Sequence, residues 1–329
     1  MGELADRVLS TLRDTALAPL QPTSDFFWPH LLGALAIAVL VQAAVRRRPL
    51  GPFLRAAFSP AVWWHRSARA DYQFYLVNGV LYVLLVGPWL VTTAAVAGGV
   101  RRLLEAGLGE GPGLAASGAG VVGAYTVVHF VARDFGRWFG HWIQHRLALL
   151  WEFHKVHHSA EVLVPLTGGR VHPVDLVVMA VCANGVTGVV AGAALHLFPA
   201  GLDLWSVYGV NALVFAFDLL GSNLRHSPVW LSYGRRAERW LISPAQHQIH
   251  HSVEPRHWQK NLGFYLAVWD RLFGTLYVPE RREALRFGTG EGRDADYHSV
   301  LRLYWLPLRA VWSRLTVPER VADQPGRQS

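Results

Sequence analysis

Cysteine is almost missing: Cys182 is the single one in 329 residues, and it lies in an apolar run. That excludes an intrachain disulfide and any cysteine-based zinc or iron–sulfur site. Charge is scarce as well. Asp, Glu, Lys and Arg make up 16% of the chain, against roughly 25% in a typical soluble domain. The deficit argues against disorder and against an ordinary soluble enzyme. Glycine is frequent, but no GxGxxG or GxxxxGK[ST] run sits in a strand–turn–helix setting, so nucleotide cradling is not supported. No internal repeat of useful length is present. No basic start runs directly into an apolar stretch and a small-residue cleavage site, so a cleaved signal peptide is not expected.

What the chain has instead is apolar sequence and histidine. Hydrophobic residues are 52% of the total, and the mean hydropathy is +0.21. The net charge of +8 reads, in so apolar a chain, as the basic skirt of a membrane protein, with no nucleic-acid partner. Residues 1–25 are polar enough to lie outside the bilayer, with Val8–Leu20 a short interfacial helix. Residues 26–132 read as three transmembrane helices, at Phe26–Val45, Gly79–Val100 and Leu114–Ala132. Arg46, Arg47, Arg48, Arg55, Arg66 and Arg69 crowd the loop between the first two, which places it in the cytoplasm. The loop after Arg101 and Arg102 then lies outside, and everything after Arg133 returns to the cytoplasm. The glycines and alanines of the third stretch suit close helix packing.

A second apolar block, 174–221, breaks at Pro199–Asp203 and reads as a helical hairpin that either spans or enters part of the membrane. Asn184 and Asp218 within it are expected to face protein rather than lipid. Residues 280–329 form a cytoplasmic tail, and no chemical motif appears from 281 onward. The expected fold is an all-α integral membrane protein, its transmembrane helices carrying a cytoplasmic histidine-rich di-metal helical domain at 133–279.

Sixteen histidines compare with about 7 for an average composition of this length. His30, His65, His129, His196 and His298 stand alone and read as satisfied core or surface groups. The others cluster. His141 and His145 form HxxxH, while His154, His157 and His158 form HxxHH, as do His247, His250 and His251. Residues three and four apart share a helix face, so these eight imidazoles can converge from three helical segments. Burying them together without a cation would leave donors and acceptors badly matched. Neutral imidazole suits iron and zinc alike, and eight ligands point to two ions. A non-redox metal and a pH-sensing cluster remain as alternatives.

The three boxes in this order, with apolar helices before and between them, resemble the fatty acid hydroxylase and sterol desaturase superfamily. The surrounding text LLWEFHKVHHSAEVL, RVHPVD, SNLRHS, ISPAQHQIHHS and WDRLFGTLYVP, within 134–279, is similar to that of its bacterial members. The resemblance implies a membrane enzyme holding two iron ions, with O2 as co-substrate and electrons from outside. Its ligands would be His141, His145, His154, His157, His158, His247, His250 and His251. Gly221 stands where many members have a histidine, and His226 a turn later becomes the ninth candidate. His172 is a further candidate, or else a cap on the helix that follows Pro173. His257 would support a ligand.

Asp134, Glu152, Asp175, Asp218 and Asp270, and the carbonyl of Asn261, are candidates to accept the second N–H of a ligating imidazole. Arg170 and Arg225 would pair with those carboxylates, and Trp151, Trp269 and Phe273 would pack around the site. The implied reaction is hydroxylation of an aliphatic C–H bond in a fatty acyl or sterol-like lipid that enters from the bilayer. Desaturation and ether-lipid cleavage are the neighbouring alternatives, and a membrane metal transporter is the alternative of another class. The HPGG-type heme motif of a fused cytochrome domain is absent, so a separate ferredoxin, cytochrome or reductase would supply electrons.

Overall fold

The computed structural model describes residues 2–24, 26–87, 90–116 and 118–316; the end of the expected tail, 317–329, lies outside the described residues. Helices dominate, in chain order α1 (Gly2–Ala16), α2 (Trp28–Leu40), α3 (Leu50–Ala57), α4 (Pro60–Trp63), α5 (Arg66–Leu81), α6 (Thr93–Leu108), α7 (Ala119–Arg146), α8 (Ala148–His158), α9 (Pro173–Leu197), α10 (Ala212–Leu219), α11 (Pro244–His250), α12 (Val268–Leu272) and α13 (Val300–Thr316). Wider π turns extend α2 over Val41–Val45 and α5 over Tyr82–Val86. Among the described residues the one sheet is an antiparallel pair, Ser206–Val207 with Val210–Asn211.

Among the described residues, two helices are long and apolar enough to cross a bilayer: Trp28–Val45, with mean hydropathy 1.8, and Pro173–Leu197, with 2.0. The second expected span, Gly79–Val100, is not one helix. Its residues divide between the end of α5 and the start of α6. The threonine at 92 then opens α6 by accepting the Ala95 amide at 3.1 Å, an N-cap.

From Ala119 the third expected span continues without a break into the first histidine box, with no proline between Ala119 and Arg146. The 174–221 hairpin is unequal. Its first arm is α9, and its return arm α10 has 8 residues, about 12 Å of helix at 1.5 Å per residue. That is well short of the roughly 30 Å hydrocarbon core.

The long helices α7 and α9 pack along each other, with α6 on the other flank of α9. Small residues set the spacing. A Cβ on Gly136 would stand 2.8 Å from the Ala183 Cα and from the Cys182 carbonyl. The two backbones touch there, which only glycine permits. Gly136→Val should therefore destabilise the protein by about 1–3 kcal/mol through overpacking, read as a lower melting temperature in detergent. An unchanged melting temperature would contradict this contact.

The apolar clusters connect these helices to the histidine region. Ala34 and Ala38 of α2 pack with Leu224, Val229 and Leu231, and Ala70 and Phe74 of α5 pack with Val156, Tyr297 and Leu303. The segments carrying His157 and His226 are thereby seated on α2 and α5. Asn184 faces protein as expected, bonded to Thr93 and to the Val91 carbonyl.

Candidate metal centre

The histidines arrive on four short supports. His141 and His145 lie on the last turns of α7, and His154, His157 and His158 end α8. His226 closes a tight turn over Ser222–His226, and His247, His250 and His251 come from α11 and its cap. Local sequence rules build α11. Pro244 takes the first helical position, where its missing N–H costs nothing. Ser243 and Gln246 bond reciprocally as a capping box, at 3.2 and 3.0 Å. Gln248 then spans from α11 to the carbonyls of Leu224, Ser227 and Val229, fastening the His226 turn.

These supports bring nine imidazoles into two sets. His141, His145, His154, His158 and His250 form one, and His157, His226, His247 and His251 the other; in each, the possible ligand nitrogens lie within 4.8 Å of one another. The neighbours His157 and His158 belong to different sets. His226 joins the second set. His172 joins neither. Its Nδ1 accepts the Val174 amide at 3.2 Å, so the ligand expectation gives way to the cap on α9.

The protonation pattern follows from the partners. His141 Nδ1 meets the Leu262 carbonyl at 2.7 Å, His250 Nδ1 the Lys260 carbonyl at 2.9 Å, and His154 Nδ1 the Asp175 carboxylate at 2.7 Å. Carbonyls and carboxylates only accept, so these Nδ1 atoms carry hydrogen, and each Nε2 presents a lone pair. The Nε2 atoms of all five rings in the first set are buried without a hydrogen-bond partner. In the second set, Nε2 atoms face one another at 2.9, 3.1, 3.1 and 3.3 Å. Metal–imidazole bonds of about 2.0–2.1 Å put neighbouring ligand nitrogens roughly 2.9–3.4 Å apart for right-angle to tetrahedral bonding. The spacing is that of a coordination shell, and the orphaned lone pairs supply its donors. The residues fit a metal at both sets.

Burial, with the neighbouring imidazoles adding to it, drives down the pKa values of His141, His145, His157, His158, His226, His247, His250 and His251. His157 is lowered to about 3 by desolvation first and then by His154, and burial likewise lowers His250 to about 3. These eight rings stay neutral and able to bind metal at ordinary pH. An unfolded histidine titrates near 6.5, so below that value the unfolded chain takes up protons that the folded chain refuses. The metal-free protein should therefore be most stable above about pH 6.5 and lose stability steadily as pH falls from there toward 3. Melting temperature in detergent across pH 7.5 to 4.5 checks this; a flat profile would contradict it.

Of the expected supporting carboxylates, Asp175 alone touches a ligating ring. The others hold backbone. Asp134 accepts from the Tyr265 and Leu266 amides and from Trp269 Nε1, at 3.0, 3.3 and 2.9 Å. Asp270 accepts from the Leu262 and Gly263 amides at 2.9 and 2.8 Å, which fixes the carbonyl that faces His141. Asp218 accepts from Ser222 and Tyr265, while Glu152 pairs with Lys155 and Arg314. Asn261 accepts the Tyr277 amide and His257 lies against Glu283, so neither supports a ligand. Arg170 pairs with Asp71 of α5 rather than with any of these. Trp151 does pack on the site, its ring 5.1 and 5.3 Å from His145 and His158.

Sequence reasoning missed Gln246, Gln248, Lys260 and Leu262. The two glutamines interleaved with the last box were a readable signal; the two carbonyls had none. It also missed Gly168, where a Cβ would come within 3.2 Å of His226 Nδ1.

A cavity of about 520 Å³ reaches both sets, bordered by His141 and His154 of the first and His157, His226 and His247 of the second. Met179, Ala180 and Ala183 of α9 give it an apolar wall.

Residues 126–275 match the family model described as fatty acid hydroxylase. This stretch is similar to fatty acid hydroxylase domains. The match encloses all nine converging histidines. An ornithine lipid hydroxylase OlsE of Rhizobium tropici is 28% identical to the chain, over 50% of this chain and 45% of its own length. An alkylglycerol monooxygenase of Danio rerio is 28% identical, over 59% and 39%. A Delta(7)-sterol 5(6)-desaturase, erg3C, of Aspergillus fumigatus is 25% identical, over 47% and 49%. The chain thus covers less than half the length of each of these relatives. No solved structure gives a significant match. The matched stretch begins inside α7 and ends just past α12, so α13 lies outside it.

Proposed function

We propose that the chain is a membrane-bound, O2-dependent hydroxylase of an aliphatic C–H bond in a lipid, holding two iron ions. The convergence of nine imidazoles in two sets around one cavity carries this reading. His141, His145, His154, His158 and His250 would hold one ion, and His157, His226, His247 and His251 the other. Five nitrogens exceed the four-coordinate shell usual for structural zinc, which favours iron over that alternative. Iron supplies the oxygen activation and C–H cleavage that no side chain provides.

The protein's own part is position and exclusion of water. The Asp175 carboxylate and the Leu262 and Lys260 carbonyls fix three rings and raise their basicity. The wall of α9 at Met179, Ala180 and Ala183 meets an apolar chain and keeps solvent from it. The substrate would be a fatty acyl or sterol-like lipid, and a separate ferredoxin, cytochrome or reductase would deliver electrons.

The two long apolar helices support insertion in a membrane. The arginine-rich loop after α2 favours the cytoplasmic face for the histidines, in what would be a bacterial inner membrane. In the proposed organisation, 1–25 is interfacial, 26–132 is membrane-associated, 133–279 is catalytic, and 280–329 is the cytoplasmic C-terminal part.

The test is metal analysis of the purified chain together with mass spectrometry of lipids from cells expressing it. Two irons per chain and a lipid that has gained one oxygen are the expected result. A lipid that has lost two hydrogens would make the chain a desaturase at the same site. Zinc alone, with no altered lipid and no substrate-coupled O2 uptake, would overturn the oxygenase reading.

A further inference from the structure

Resting only on the membrane-bound part of that reading, we propose that the recess at the end of α2 holds the phosphate of an anionic membrane lipid. The recess, of about 440 Å³, is bordered by Arg46, Arg48, Arg235, Arg281, Arg282 and Glu280, and it shares no lining residue with the histidine cavity. Three distant stretches of chain build it. Ala34 and Ala38 of α2 pack with Val229 and Leu231, which brings the segment holding Trp230 and Arg235 against α2. Trp230 in turn packs with Tyr277 and Leu285, and Arg281 and Arg282 lie between those two in the chain. No sequence motif marks these last arginines, so their meeting with Arg46 is a product of the fold.

The local backbone directs the first two arginines. The Arg46 and Arg48 amides fold back onto the carbonyls of Val41 and Gln42, at 2.9 and 3.1 Å. Between them Arg47 takes the left-handed conformation, φ 51°, which residues with a Cβ seldom adopt. Arg46 and Arg48 both border the recess, and Arg47 does not. The Arg46 guanidinium is also tethered, donating to the Trp230 carbonyl at 3.1 Å.

Five guanidinium groups thus share the recess with one carboxylate. Glu280 lies 3.7 Å from Arg235 with both side chains largely exposed, a pair worth little in water. Arg48, Arg281 and Arg282 make no ion pair among the described residues. The Arg46 pKa is lowered by burial first and then by Arg282 and Arg48, so like charges press on one another there. An anion seated among them removes that repulsion, and guanidinium forks match phosphate oxygens in pairs. Ser232 adds a neutral donor. Its Oγ accepts the Gly234 amide at 3.1 Å, which leaves its O–H for a ligand oxygen.

Position names the source of the phosphate. The apolar helix Trp28–Val45 ends immediately before Arg46. In a bilayer crossed by that helix the recess sits at head-group depth, where anionic lipids of the cytoplasmic leaflet present their phosphates. A phosphodiester without an ammonium group keeps its whole charge for the arginines, so the fitting ligand is a phosphoglycerol type of head group rather than a zwitterionic one.

The experiment uses the full chain purified in detergent, with bound lipid read by native mass spectrometry. The probes are dioleoyl phosphatidylglycerol and the zwitterionic dioleoyl phosphatidylcholine. Phosphatidylglycerol should bind about tenfold or more tightly than phosphatidylcholine, and Arg48→Gln/Arg282→Gln should lose that preference. Arg55→Gln/Arg69→Gln removes the same charge from exposed positions outside the recess and should keep it. Inorganic phosphate in large excess should leave the lipid in place.

Equal binding of the two lipids by the wild type overturns the proposal. So does a preference that survives Arg48→Gln/Arg282→Gln. A preference lost equally in the charge-matched control overturns it too, since the attraction would then belong to the basic surface at large. Displacement by inorganic phosphate would make the recess a site for soluble anions and ends the lipid assignment. Should the first double variant fail to fold, Arg282→Gln alone serves the comparison, with a partial loss expected. Retention of the chain in membranes through an alkaline wash reports separately on the membrane reading. An inserted chain without phosphatidylglycerol preference therefore sinks this inference alone, and a chain holding zinc in place of iron leaves it standing.

Discussion

His157→Ala should abolish lipid product, by about 100-fold or more, with the protein still in the membrane and one of its two metals lost. Removing a ligand exceeds the 10- to 100-fold cost of altering a group that merely supports one. His157 Nε2 lies 3.3 Å from that of His226, and its ring centroid 4.6 Å from that of His251. The substitution therefore opens the four-histidine set. His158, one residue on, belongs to the five-histidine set, whose rings keep all their fixed partners. Metal analysis and lipid mass spectrometry on the same preparation check both halves. Equal product from the variant and the wild type would remove His157 from the centre, and loss of both metals would mean the two sets do not load separately.

The second large effect concerns stability. Arg170 and Asp71 form an ion pair at 2.6 Å with both side chains fully buried. Removing one partner strands the other charge in the interior, which costs about 3–5 kcal/mol. Arg170→Met should cost at least that, because this guanidinium also donates to the Val156 and Tyr297 carbonyls at 2.9 and 2.7 Å. The result is a large drop in melting temperature. Changing both partners, Arg170→Met with Asp71→Leu, should recover part of the loss, since no uncompensated charge remains. A single variant as stable as the wild type would show that the pair is dispensable.

These two residue groups mark the limits of what could be read from the sequence. The ligand histidines were legible because three- and four-residue spacings are local, and a helix converts them into a common face. How they divide was not, since His157 and His158 part company only once His226 and α11 are brought in from far along the chain. His172 was legible in principle, as the residue before a helix-opening proline is a natural cap. The acidic residues were misread for a physical reason. Asp134 and Asp270 are buried beside the site, yet they gather backbone amides from the 262–266 segment, and it is the carbonyls there and at Lys260 that meet the imidazoles.

The partner of Arg170 lies on α5, far away in sequence, where no local pattern points. The apolar runs gave the helical class correctly. They did not distinguish a continuous helix from two separate ones, nor a full return arm from the short α10, because composition is blind to both.

The last helix has a bearing on how the protein is made. Arg314 of α13 reaches Glu152 at 2.8 Å, and α13 packs along α8, the helix that carries His154, His157 and His158. Tyr297, just before it, supplies the carbonyl that Arg170 requires. During synthesis all nine converging histidines, the last of them His251, are made before α13 exists. A fragment ending at residue 275, where the family match ends, would carry all nine converging histidines without the helix that packs along α8.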